Sequence, residues 1–489
     1  MSLTNQLKNQ HLMWRAGFGP AVEQLSDLSQ YSPKQFYKAL VKASSKKPEY
    51  LDVADDYLKG LLMGIDEAGK LNKKELPQEE KKKIQQKNRE GVRNLNMYWM
   101  YEMVNSAAQL REKMAFFWHG HFACRNLNVF FQQGLLDILR RNALGNFGTM
   151  LKEVSKSAAM LNFLNNQQNR KDHPNENFAR EVMELFTLGR GNYSEHDIKE
   201  AARAFTGWGA TIKGDFAFRK FQHDFGSKTV LGHTGNFDGD EVLDILLQEK
   251  QTAKFITRKI YKFFVNDKPD EDKISWLSER FYKNNYEIAG LMEDIFTSDW
   301  FYDEKNVGAL IKSPIELVVG IQRILPMKLQ DDEALLLVQR VLGQVLFYPP
   351  NVAGWPGGRN WIDSSSLMMR MRIPRLIDDT DEMNVSPKDD DDQMMGRKDN
   401  DNTPKGKGQK MMGRANKPIL AEINWNDYVK YFESTPREAL TDTIAKCLLQ
   451  IKMNVGEDII KQYSDQSGRE NFIKTATIQI MSTPEYQLC

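Results

Sequence analysis

The chain has 489 residues, enough for a substantial hydrophobic core. Lys and Arg total 67 against 66 Asp and Glu, a formal net charge of +1, so bulk electrostatics favour neither nucleic acid nor an anionic membrane. Cys124, Cys447 and Cys489 make no disulfide framework and lack zinc-type spacing.

No stretch reaches the roughly 18 apolar residues of a membrane span. The first residues, MSLTNQLKNQHLMWRAGFGP, hold no apolar core of signal-peptide length. A cytoplasmic protein is expected, with envelope association left open. HLMWRAGFGP itself reads as a short helix ended by its glycines and proline. Residues 69–93 are highly charged and read as a solvated helix or an exposed connection.

From Leu95 to Trp118 the apolar pattern returns and predicts one long buried helix, bent somewhere along its length. It runs into Trp118-His119-Gly120-His121-Phe122. Residues two apart on a regular helix point nearly opposite ways, so the two histidines converge only if the chain leaves the helix at Gly120. A His-x-His pair is half of a metal site that needs a carboxylate or a third imidazole from elsewhere. The plainer reading is a pair of interior histidines held by hydrogen bonds among Phe and Trp.

The densest stretch is 170–207, RKDHPNENFAREVMELFTLGRGNYSEHDIKEAARAFTG, preceded by the polar run 165–169. Phe178, Val182, Leu185 and Phe186 share one face of a 3.6-residue helix. Asn177, Arg180, Glu181 and Glu184 share the other, either as a solvated face with an Arg180–Glu184 pair or as two carboxylates aimed into a pocket. Gly189 and Gly191 stop that helix. Ser194 with Asp197 predicts a capping box at the start of the next.

Beyond Trp208 the period shortens, and DFAFRKFQ (215–222) is expected to pair with Lys228–Gly232 across a turn at His223-Asp224, a small β-hairpin inserted among helices. His223 and Asp224 are then either polar groups on a rigid corner or ordinary turn residues. Ser313-Pro314 opens another helix. Residues 347–361, FYPPNVAGWPGGRNW, are too rich in Pro and Gly for helix or strand and make a defined loop carrying Trp355 and Trp361. Their rings suit stacking on a ligand, or else plug the loop onto the core. Residues 378–418 combine an acidic run with Lys, Gly, Asn and Met and are expected to be disordered. The organisation expected is mainly α: a helical domain over 1–377, that insertion, and C-terminal helices over 419–489 packing back on the same domain.

HLMWRAGFGP, REKMAFFWHGHF, PNENFAREVMELFTLGRGNYSEHDIKEAARAFTGW, HDFGSKTVLGHTGNFDGDEVLDIL, TAKFITRK, KSPIELVVG, GQVLFYPPNVAGWPGGRNWI and STPEYQ, in that order, resemble the bacterial family of unknown function DUF1800. The resemblance implies a mainly helical bacterial protein without an established activity. It also implies a sulfatase-like protein as a candidate partner, because such proteins are often encoded beside family members. It carries over blocks rather than catalytic residues: His119–His121, Asn175–Glu184, His223-Asp224 and Trp355–Trp361.

Two functional readings follow. In the first, a metal-assisted hydrolase, His119, His121 and Glu181 hold a divalent metal, and Glu184 or His223, the latter beside Asp224, is the general base. Arg180 stabilises developing negative charge, and Asn175, Asn177, Trp355 and Trp361 bind substrate. In the second, a non-catalytic assembly or partner-binding protein, the same polar groups lock buried networks. Substrate, metal identity and oligomeric state are not encoded in any motif.

Overall fold

The computed structural model describes residues 3–68, 77–329, 333–378 and 421–489. The expected disordered insertion at 378–418 lies, Asp378 apart, outside the described residues, as does the first part of the charged stretch at 69–93. Helices dominate, and among the described residues the strands make three two-stranded antiparallel sheets. No helix among them is long and apolar enough to cross a membrane. One continuous apolar cluster runs from Leu12 through Trp99, Trp118, Phe186, Ile260 and Phe347 to Ile473 and Tyr486.

The helices that position the site are α1 (Asn5–Ala16), α2 (Gln78–Asn105), α3 (Gln109–His121), α4 (Val129–Arg141), α5 (Asn177–Glu181), α6 (Glu195–Ala204), α7 (Lys250–Phe264) and α8 (Pro314–Ile324). Local capping chemistry sets several starts. Ser194 and Asp197 exchange the expected bonds at α6, and Ser313 and Glu316 do the same at α8, with Pro314 in the first turn. Gly189 and Gly191 take φ of +81° and +84° after the central helix, as a glycine stop requires.

Three expectations are corrected. The helix expected from Leu95 to Trp118 is two helices, broken at 106–108, where the Gln109 amide donates to the carbonyls of Met103 (2.9 Å) and Ser106 (2.8 Å). The hairpin expected around His223-Asp224 is two hairpins. Trp208–Ala210 (β1) pairs with Phe216–Phe218 (β2), and Lys228–Val230 (β3) pairs with His233–Gly235 (β4). Leu231 and Gly232 both adopt positive φ, 50° and 82°, which makes the two-residue turn whose twist suits a tight hairpin and commits β3 to β4. The third correction concerns the histidines: α3 does not end at Gly120 but stays helical through His121.

Helix α3 is also buried on every side, and Gly120 is its one residue that is not fully buried. Its charges are met internally. Glu112, wholly inaccessible, accepts from Trp99 Nε1 (3.0 Å), Arg111 Nε (3.0 Å) and Arg140 Nε (2.9 Å). Lys113 pairs with Glu316 and donates to Trp14 O at 3.0 Å. Removing one partner of such a buried pair strands the other charge, so Glu112→Ala is expected to destabilise the fold by about 3–5 kcal/mol. Urea unfolding checks this; Glu112→Gln, which keeps the acceptor for Trp99, is expected to lose less.

Candidate functional site

A cleft of about 610 Å³ opens beside α3, lined on one side by Phe116, Phe117, Gly120 and His121 and on the other by Trp355 and Trp361. Arg15, Lys259, Lys262 and Arg359 supply positive charge to its wall, and Asp267 and the Lys113-paired Glu316 supply the negative. Lys262 and Arg359 make no ion pair among the described residues.

Arg15 is 1% exposed. Its Nη2 donates to Asn306 O (2.9 Å) and Cys489 O (2.7 Å), while Nε and Nη1 have no hydrogen-bond partner. A buried guanidinium with unpaired donors costs free energy unless a ligand or water completes it.

Lys259 comes from α7 and His121 from the end of α3. The ammonium Nζ lies 3.0 Å from His121 Nδ1 and donates to Leu185 O at 3.3 Å, and His121 Nε2 lies 3.3 Å from Phe186 O. A carbonyl only accepts, so Nε2 carries the ring proton and Nδ1 presents its lone pair to Lys259. Both carbonyls belong to a π-helical turn, Val182–Thr187, that continues α5. There Leu188 N bonds to Met183 O (2.9 Å), the five-residue spacing that widens a helix and alters which carbonyls remain available. Burial lowers the Lys259 ammonium from 10.5 to about 8. Burial, then the Lys259 charge, keeps His121 well below the usual imidazole value.

His119 points elsewhere. Its Nε2 accepts the Phe347 backbone N–H at 3.3 Å, its ring stacks on Trp355 (5.2 Å, 20°), and burial lowers it to about 3. Gly354 permits this packing, because it has φ +83° and a Cβ there would meet Gly120 O at 2.5 Å. Trp355 is half-buried, Trp361 is buried, and both line the cleft.

The other sequence candidates lie outside the cleft lining. The Arg180 guanidinium pairs with Glu195 (2.8 and 2.7 Å) and Glu176 (3.2 Å), not with Glu184. Glu184 accepts from Tyr193 Oη (2.8 Å) and Arg190 Nε (3.1 Å). Glu181 is half-buried, and burial, then the neighbouring Glu184, holds its carboxyl above the usual range. Asn175 accepts from Asn177 N (3.0 Å) and bonds through its own N–H to Asn169 (2.9 Å), a loop lock. His223 Nδ1 lies 2.9 Å from Thr206 O. Asp224 accepts from Arg203 Nε (2.7 Å) and Gly226 N (2.8 Å), and the Arg203 bond holds its carboxyl below the usual range.

The structure therefore does not bring His119, His121 and Glu181 into one group. Among the described residues no cluster of three or more His, Cys, Asp and Glu side chains could hold a metal ion. It brings together His121, Trp355 and Trp361, joined by Arg15, Lys259 and Arg359, which sequence reasoning missed. A signal existed for Lys259: it stands four residues from both Phe255 and Phe263, a lysine on an apolar stripe.

The arrangement defines a mainly helical protein with a cationic, aromatic-walled cleft. This chain belongs to the family described as "Protein of unknown function (DUF1800)", whose model matches residues 11–488. Comparisons with curated proteins and with solved structures return no match.

A lysine reacts with acylating reagents as the neutral amine, so its reactivity climbs as pH rises through its folded pKa. Half-maximal labelling of Lys259 is expected near pH 8, with exposed lysines trailing toward 10.5. Peptide-resolved competitive labelling against pH checks this.

Proposed function

We propose that the protein binds a small anionic ligand carrying a flat ring in the cleft between α3 and the 347–361 loop. The observation that carries this reading is Arg15, buried with Nε and Nη1 unpartnered in the wall of a cleft that also holds Lys259, Lys262 and Arg359. Guanidinium groups offer paired donors that match carboxylate, sulfate or phosphate oxygens. Trp355 offers a ring edge and face beside them, the usual way a pocket orients a planar or saccharide group.

This reading is preferred to the metal-assisted hydrolase because, among the described residues, no group of three or more His, Cys, Asp and Glu side chains could hold a metal ion, although His119 Nδ1 is left without a hydrogen-bond partner. His119 Nε2 accepts from Phe347 N, His121 Nδ1 faces an ammonium, and Glu181 stands outside the cleft lining.

Naphthalene-2-sulfonate is the probe. Saturable one-to-one heat in titration calorimetry is expected, weakened about tenfold or more in Arg359→Met and in Trp355→Ala, as for loss of a charge-assisted bond or a stacking wall. Absence of saturable binding, or binding indifferent to both substitutions, overturns the reading.

A second reading, a partner-binding protein, has its own observation. Phe221 is 94% exposed and Phe225 58% exposed on the segment that follows β2, and Phe218 and Phe225 both pack against His223, at 5.1 and 4.7 Å between ring centres. Clustered exposed aromatics of this kind mark protein contact surfaces. The sulfatase-like protein implied by the family resemblance is the partner to test. Phe221→Ser with Phe225→Ser is expected to abolish co-elution with it and to leave naphthalene-2-sulfonate binding intact.

A further inference from the structure

We infer that Lys259 is a carbonyl-reactive amine, which condenses in the cleft with an aldehyde or ketone that also bears an anionic group; this rests on the anion-binding reading above. Three features of the geometry support it. Lys259 lines the cleft with Phe116, Phe117 and Phe263, and its Nζ lies 5.1 Å from the centre of the Phe255 ring, an apolar flank for the amine. It makes no ion pair with a carboxylate among the described residues; its partners are an imidazole and the Leu185 carbonyl. And the unpartnered guanidinium of Arg15 stands in the same cleft, ready for the ligand's charge.

An ammonium held only by neutral acceptors gives up its proton more readily than one held by a carboxylate, consistent with its lowered pKa. Desolvated lysines of this kind are the ones that serve as amine nucleophiles. The charged groups that share the cleft are Arg15, Lys262 and Arg359, and Asp267 and Glu316, of which Glu316 is already paired with Lys113.

The chemistry balances without an oxidant or reductant. The neutral Nζ attacks the carbonyl carbon; a C–N bond forms as the carbonyl π pair moves to oxygen, which takes up a proton. The nitrogen sheds a proton, and His121 Nδ1, 3.0 Å away with its lone pair facing Nζ, is the acceptor at hand. Protonation of the hydroxyl releases it as water while the nitrogen lone pair closes C=N, and loss of the second N–H proton leaves the neutral imine. The net change is one carbonyl and one amine to one imine and one water. His121 touches the reacting nitrogen, and the Phe186 carbonyl, by holding the proton on Nε2, is what keeps Nδ1 free for the task.

The test uses the full chain with glyoxylate and sodium cyanoborohydride, read by peptide mass spectrometry. One reduced adduct on Lys259 is expected, at least tenfold faster than on any other lysine, and absent in Lys259→Arg and Lys259→Gln. Acetaldehyde, a carbonyl without the anionic group, is expected to lose that selectivity. His121→Gln is expected to slow trapping at Lys259 and displace its pH profile, which a merely structural role would not do.

If glyoxylate labels Lys259 no faster than surface lysines while naphthalene-2-sulfonate still binds, the imine inference fails and the anion-binding reading stands. If the sulfonate does not bind either, the anion-binding reading fails and the inference falls with it. Folding of each variant is checked by its urea transition, and the two substitutions at Lys259 together guard against one of them misfolding.

Discussion

Helix α3 has no water-facing side, yet it carries Arg111, Glu112, Lys113, His119 and His121. Each ionisable group taken out of water is a large cost unless an internal partner meets it. The rest of the fold can be understood as the supply of those partners. Helix α2 brings Trp99 to Glu112, α4 brings Arg140 to the same carboxylate, and α8 brings Glu316 to Lys113. The loop after residue 346 brings a backbone N–H to His119, and the central π-turn brings the Phe186 carbonyl to His121. Elements far apart in sequence thus converge on one buried helix. The cleft lies where that enclosure is incomplete, at Gly120.

The π-helical turn explains how the central segment takes part. Residues 170–207 do organise the molecule, but not through the carboxylates of Glu181 and Glu184. A helical wheel at 3.6 residues per turn predicts side-chain faces, and it cannot show that the ladder widens at Val182–Thr187 or that the Leu185 and Phe186 carbonyls will serve His121 and Lys259. The same wheel suggested an Arg180–Glu184 pair. In the fold Arg180 reaches instead to Glu195, whose place beside it depends on the turn through Gly189 and Gly191.

What was legible in the sequence is what depends on a few neighbouring residues. The Ser194–Asp197 and Ser313–Glu316 caps, the glycine stops and the mainly helical class are of this kind, since each rests on local hydrogen bonding or periodicity. The hairpins were misread because strand pairing is a choice between partners. DFAFRKFQ alternates equally well whether it pairs backward to Trp208 or forward to Lys228, and the deciding fact is the positive φ of Leu231, a residue type that rarely adopts it. Of the candidate site, His121, Trp355 and Trp361 were legible because aromatic and imidazole groups stand out. Arg15 and Lys259 were not, since a lone basic residue in a helix reads as surface until its apolar neighbours are counted.

The retention of Arg15 is the point at which packing and function meet. Lys113, Lys312 and Arg370 are buried as well: Glu316 meets Lys113, the rings of Trp14 and Tyr486 at 3.7 and 3.8 Å meet Lys312, and Gln487 and the Lys312 carbonyl meet Arg370, which leaves its Nη1 without a partner. Arg15 is bound to two carbonyls and leaves two nitrogens over. Packing alone would favour an apolar residue of similar volume at such a position. Local rules broken without a compensating contact tend to coincide with sites of function. A ligand anion that completes the guanidinium would bind the folded chain and not the unfolded one, so occupancy of the cleft would stabilise the meeting of α1, α3, α7 and the 347–361 loop. The cleft is thus the place where the fold's own polar accounting is left for a second molecule to close.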